Sequence, residues 1–227
     1  MDYLRKRGFT LIELLVVMSI IAVVMSILLP AAGRVRMQAK VMVVNAELRD
    51  IGLALECYCL DNLSYPPTRE DCQTGSLGDH LFQLPSELVK LRYLPGTSRE
   101  EAMSTSVEDR FHRGFTYKYR SVGECIRDRD IIDPGIRSRM WVPNGFPGRS
   151  SLNQDDGRWY EEVRKSPVDW VLFSLGPGFD EKRLRTQVKN RYPVSRELWY
   201  DSKEKSGFIV RMKLDKGDHI GTFSGDR

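Results

Sequence analysis

Histidine is scarce in this chain of 227 residues: only His80, His112 and His219 occur, and they are scattered. No His-Glu-x-x-His pair stands ready for a metal. Neither Gly-x-Ser-x-Gly nor Gly-x-x-x-x-Gly-Lys is present. With no nucleophile, base and orienting group assembled, no enzyme activity is expected. A dominant charge is also missing. The formal net charge is +4, and without residues 1–8 it falls to 32 basic against 30 acidic residues. So even a balance gives no nucleic-acid footprint, and no nucleic-acid partner is expected. Cysteine is limited to Cys57, Cys59, Cys72 and Cys125, with none of the spacings of a zinc ribbon or finger. Internal repeats are absent. Long apolar runs are absent too, with one exception.

That exception is Gly8 to Pro30, GFTLIELLVVMSIIAVVMSILLP. Of the 21 residues from Phe9 to Leu29, only Glu13 is charged. At ~1.5 Å per residue such a helix spans roughly 31 Å, the thickness of a hydrocarbon core. Arg5, Lys6 and Arg7 precede it, which predicts a cytoplasmic N-terminus with the rest of the chain outside. The run is too long for the apolar core of a secretory signal peptide, and no Ala-x-Ala-like site follows it. A carboxylate inside such a span costs at least ~2.5 kcal/mol, so Glu13 needs a partner.

A short basic leader ending in Gly8, then Phe9-Thr10-Leu11-Ile12-Glu13 and an apolar run, resembles the type IV pilin and type II secretion pseudopilin family. Pro30 falls where many members carry a helix-kinking proline. The resemblance implies that a prepilin peptidase cuts between Gly8 and Phe9 and methylates the new amine of Phe9. It implies that Glu13 pairs with the Phe9 amine of a neighbouring subunit. It also implies a single-pass protein of the bacterial inner membrane whose exported, periplasmic domain later joins a filament. The expected partners are other copies of the chain, other pseudopilins, an inner-membrane assembly platform and membrane lipid.

The resulting division is a cleaved leader at 1–8, a transmembrane helix at 9–29, an amphipathic continuation at 30–61 and an exported domain at 62–227. Pro30 should bend the helix rather than end it, because helical periodicity resumes beyond it. Val44, Leu48, Ile51, Leu55 and Tyr58, supported by Val41, form one apolar stripe. Arg34, Arg36 and Lys40 read either as a solvated face or as a contact for lipid headgroups or a neighbour's acids. Asp61 to Thr68, with the pair Pro66-Pro67, ends the helix. Here too the sequence resembles pseudopilins, in their major, G-type branch.

Farther on, Ser86 to Leu94 predicts a short helix capped by Ser86, with Leu88, Leu91 and Tyr93 or Leu94 inward. A second short helix is expected near 98–109. Phe115, Tyr117 and Tyr119 alternate with polar residues as in a half-buried strand, a row read as core rather than as a base-stacking platform. Residues 121–167 read as an irregular surface insertion anchored by Trp141, Phe146 and Trp159. Val168–Leu175 and Gly207–Leu214 are strands, the second with Phe208, Val210, Met212 and Leu214 on one face, and His219–Phe223 returns as an edge strand. The expected fold is therefore α+β, with the amphipathic half-helix laid across a small antiparallel sheet of three or four strands.

All four cysteines lie beyond the span, on the side where disulfides form. Cys57 and Cys59 point to different helix faces. The pair Cys72–Cys125, a bond from either to a helix cysteine, and free thiols all stay open. Adjacent Asp155 and Asp156 read as a solvated turn. The loop after Ser174-Leu175-Gly176 resembles one that holds calcium in many major pseudopilins. The candidate ligands are Asp180 with Asp201 or Asp155, while Gly178 stands where an Asp is expected and Lys182, Arg183 and Arg185 crowd the loop with cations. The chain reads as a structural subunit of a secretion pseudopilus or pilus-like filament. The alternative is a minor pilin whose exported domain binds a ligand, a surface or DNA.

Overall fold

The computed structural model describes residues 9–69, 83–95, 107–126, 132–153, 155–178, 191 and 194–223. A single helix, α1 (Leu11–Asn62), runs through two compact units, 1–40 and 41–227. From Leu11 to Leu29 α1 is apolar all round apart from Glu13. An 18-residue window reaches a mean hydropathy of 2.8 with none of its surface buried, so the helix is long and apolar enough to cross a membrane. Pro30 lies inside it, and helix continues on both sides.

In the second unit α1 buries one stripe: Val44, Leu48, Ile51, Ala54 and Leu55, with Val41 and Tyr58 partly covered at its margins. It packs on a four-stranded antiparallel sheet in the order β2 (Lys118–Ser121), β7 (Val168–Ser174), β8 (Ile209–Leu214), β9 (His219–Gly221). The α+β expectation agrees with this, as do the strands expected from Val168, Gly207 and His219. The first strand is a correction: only Lys118–Ser121 is extended in the sheet, and Thr116, Lys118 and Arg120 are buried as well as Tyr117 and Tyr119. Gly52 lets helix and sheet close. A Cβ there would stand 3.0 Å from Cη2 of Trp170, a fully buried ring.

Strand β7 sits at the centre and is covered on both faces, which is why it reads as an almost unbroken apolar run. Trp170 and Leu172 face α1 together with Tyr119 and Ile209, whereas Val171 and Phe173 join Val210, Met212 and Leu214 in a second core. Val168 also joins that second core, because the register with β8 shifts between Val168 and Trp170. Phe208, Val210, Met212 and Leu214 share one face as expected.

Three further expectations need correction. Residues 121–167 are not irregular. They contain β3 (Gly123–Ile126), β4 (Ile132–Ser138), β5 (Met140–Pro143) and β6 (Gly157–Tyr160). β3 pairs with β4 and, in parallel, with β1 (Thr68–Arg69), while β5 and β6 form a separate ribbon. These strands are short, and Arg137 and Arg158 hold outward positions in β4 and β6, so apolar alternation does not mark them. Trp141 and Phe146 are buried anchors there, but Trp159 is exposed, with Arg139 4.8 Å and Arg120 5.9 Å from its ring.

The short helix is one turn only, α2 (Glu87–Lys90). Ser86 already has helical backbone angles and its side chain makes no cap. With so short a helix the i, i+3 rule fails. Val89 is buried beside Leu88 and Leu94, while Leu91 is exposed where Arg92 turns the chain at φ 65°. Of the second expected helix, residues 98–106 lie outside the described residues. Residues 107–109 are bonded to the β2 approach instead, through Tyr117 N–H to Val107 O at 3.0 Å and Asp109 N–H to Phe115 O at 2.8 Å.

Candidate assembly site

The N-terminal start of α1 carries a feature that the apolar pattern hides. Thr10 and Glu13 stand three apart, and they cap each other. The Thr10 amide donates to Glu13 Oε2 at 2.8 Å, the Thr10 hydroxyl donates to the same oxygen at 2.7 Å, and the Glu13 amide donates to Thr10 Oγ1 at 3.3 Å. This is the reciprocal arrangement of a Thr-x-x-Glu capping box, which satisfies amides that the first helical turn leaves without partners. Sequence reading treated Glu13 as a lone acid; the spacing Thr10-x-x-Glu13 was the overlooked signal.

Within the chain, then, the carboxylate is already half occupied. All the bonds it accepts converge on Oε2, and Oε1 takes no part in them. Phe9 and Thr10 precede the first helical residue, and Phe9 is exposed. A new amine at Phe9 would therefore arise one residue before the capping amide. Gly8 lies outside the described residues.

In the second unit, polar clusters fasten α1 to the sheet. Glu56 accepts from Trp170 Nε1 at 2.9 Å, from Tyr65 Oη at 3.1 Å and from Lys213 Nζ at 2.6 Å. Lys213 also lies 3.9 Å from Asp169. One carboxylate thus ties the helix to β7, to β8 and to the turn after the helix. Burial first, and Glu56 second, push the Tyr65 phenol well above its ordinary range, so it stays a donor. Burial likewise raises the Asp169 carboxyl, against the pull of Lys213. About two and a half turns earlier, Glu47 accepts from Arg110 and from the hydroxyl of buried Tyr117.

Removing the Glu56 carboxylate takes the acceptor from three donors at once, of which Lys213 alone keeps another, Tyr65 Oη at 2.6 Å. Glu56→Ala is expected to destabilise the second unit by about 2–4 kcal/mol, below a fully buried pair because the cluster keeps some solvent contact. Thermal unfolding of the full chain in detergent checks this. An unchanged midpoint would show that the cluster is incidental.

The remaining candidates are not brought together. Cys57 is an exposed free thiol and Cys59 a half-buried one, and Cys125 is buried on β3. Cys72 lies outside the described residues, as does Asp180. Asp201 closes a local turn, accepting from the Lys203 amide at 2.6 Å. Among the described residues no group of three or more His, Cys, Asp and Glu is placed to hold a metal. Arg34 and Arg36 are exposed, and Lys40 is half-buried.

Comparison with known proteins bears on the N-terminal segment most directly. Residues 3–29 match the prokaryotic N-terminal methylation motif. Type II secretion system core protein G of Pseudomonas aeruginosa is 38% identical over 66 residues, 29% of this chain and 46% of that protein. Type IV wide pilus major component PilA4 of Thermus thermophilus is 46% identical over 59 residues, 26% of this chain and 45% of that protein. Core protein G of Klebsiella michiganensis is 32% identical over 90 residues, 40% of this chain and 59% of that protein. The chain therefore spans about half the length of the curated relatives it matches. No solved structure matches.

Proposed function

We propose that this chain, whose N-terminal segment is that of the pilin and pseudopilin family, is a structural subunit of a type II secretion pseudopilus or a type IV pilus-like filament. The observation that carries the reading is the methylation motif matched at residues 3–29, together with the uncovered apolar first half of the helix that begins at Leu11.

The proposed mechanism is assembly. The subunit waits in the inner membrane with residues 1–8 in the cytoplasm. A prepilin peptidase removes the leader, and Phe9 receives a methyl group. The apolar halves of several copies then exchange lipid for one another, which keeps their surface away from water. Glu13 meets the Phe9 amine of a neighbour, and the pair offsets the cost of each charge in an apolar core. The polar exported unit stays outside. Such a filament would support protein secretion, and the assembly platform and other pseudopilins would be its partners.

The test is fractionation. Filaments sheared from producing cells should contain the chain, and cells lacking the peptidase should yield none. Recovery of the chain only as a membrane monomer in both would contradict the reading. A second reading, a minor subunit that binds a ligand, draws on exposed Trp159 between Arg139 and Arg120. Salt-sensitive binding of DNA would favour it.

A further inference from the structure

The pairing of β7 with β8 brings an amine and a carboxyl together at a bulge. Val168 pairs with Leu214 and Trp170 with Lys213, so Asp169 is one residue too many on its strand. A bulge of this kind re-aims a side chain. Oδ2 of Asp169 lies 3.9 Å from Nζ of Lys213. From α1, Oε2 of Glu56 lies 2.6 Å from the same nitrogen. Little water reaches the three groups. The side chains of Asp169, Lys213 and Glu56 are 17%, 19% and 27% exposed. The fully buried ring of Trp170 and the ring of Tyr65, 5.4 Å from Nζ, wall them in.

The two carboxyls are not equivalent. Glu56 accepts from Trp170, from Tyr65 and from Lys213. Asp169 accepts no hydrogen bond among the described residues. Burial favours its neutral form, against the pull of Lys213. A neutral carboxyl is open to attack at carbon, and a carboxylate already turned towards the amine is set to receive its proton. The fold holds amine, acid and base within one side chain's reach, so condensation needs no encounter. The product carries no charge, whereas the ion pair bears the cost of leaving water.

We propose that Lys213 and Asp169 condense into an isopeptide bond, with Glu56 as the base, and that this bond staples β7 to β8. The Nζ–Cγ bond forms and one Cγ–O bond of Asp169 breaks. Of the three protons on the Lys213 ammonium, one passes to Glu56, one leaves with the Asp169 hydroxyl as water, and one stays on the amide nitrogen. No oxidant or other reactant is consumed. The staple joins the two central strands of the sheet on which α1 rests, and its formation needs no second copy of the chain.

Peptide mapping tests this on the full chain, extracted in detergent from producing cells and denatured before digestion. Trypsin should leave Lys213 uncut and release a branched peptide that joins residues 166–182 to 212–216, one water lighter than the two together. Lys213→Arg keeps the charge beside Glu56 and should give no branch. Glu56→Gln keeps an acceptor for Trp170 and Tyr65. It should lower the yield at least about tenfold, since a positioned base contributes more than that to a rate. Both variants should still unfold cooperatively, which separates loss of the bond from loss of the fold. The map of the unaltered chain decides without them: complete cutting after Lys213, with no branched peptide, would overturn the proposal. A branch that joins Lys213 to residue 56 instead would overturn the assignment of Asp169. An unchanged yield in Glu56→Gln would overturn the base.

Discussion

Gly8→Ala is expected to leave the chain at full length, with less than about a tenth of it processed, a loss equivalent to ~1.4 kcal/mol or more at the cleavage step. The bond after Gly8 sits ahead of Phe9 and Thr10, both outside the helix that begins at Leu11. A peptidase can therefore take the segment in extended form without breaking helical hydrogen bonds. On the proposed reading the cut needs close approach to a backbone with no side chain, which a single Cβ at position 8 would obstruct. The membrane span is untouched by this change, so the uncut form should accumulate in the inner membrane. Immunoblotting of the membrane fraction checks it. Normal processing of Gly8→Ala would remove the leader assignment.

Glu13→Ala should be inserted and cut normally and yet be reduced at least about tenfold in sheared filaments, one to two charge-assisted hydrogen bonds' worth. Insertion should not suffer, since removing an acid from the hydrocarbon is favourable by ~2.5 kcal/mol or more. The capping box complicates the interpretation, because Ala also loses the bond to the Thr10 amide. Glu13→Gln separates the two roles. Glutamine keeps the cap, as Ser/Thr-x-x-Gln boxes do, but carries no charge to offer a neighbour's amine. If charge pairing drives entry, Gln fails like Ala. If Gln enters filaments as well as Glu does, the residue serves its own helix and the pairing step is wrong.

The contrast between the two halves of α1 explains what sequence reading can and cannot reach. The apolar run and the stripe Val44, Leu48, Ile51, Leu55 are long and periodic, and both read directly. Val168–Ser174 was equally plain, because a strand buried on both faces needs a dense apolar run. β3 to β6 were missed for the opposite reason. They are four to seven residues long, β4 includes Pro134 and Gly135, and Trp159 spends its ring on arginines rather than on core. Glu56 was also silent. A glutamate on an amphipathic helix usually marks the solvent face, and only long-range pairing with Trp170 and Lys213 makes it a fastener. The Thr10–Glu13 box is legible by its spacing, but the cost of an acid in a membrane span points to a partner on a second molecule as readily as to the local one.

The account depends on a subunit that becomes competent only when its leader is gone. The direct measurement is the intact mass and N-terminal sequence of the chain recovered from sheared filaments. The account predicts a polypeptide that begins at Phe9 and carries one added methyl group on its amine. A filament chain that still begins at Met1 would contradict it.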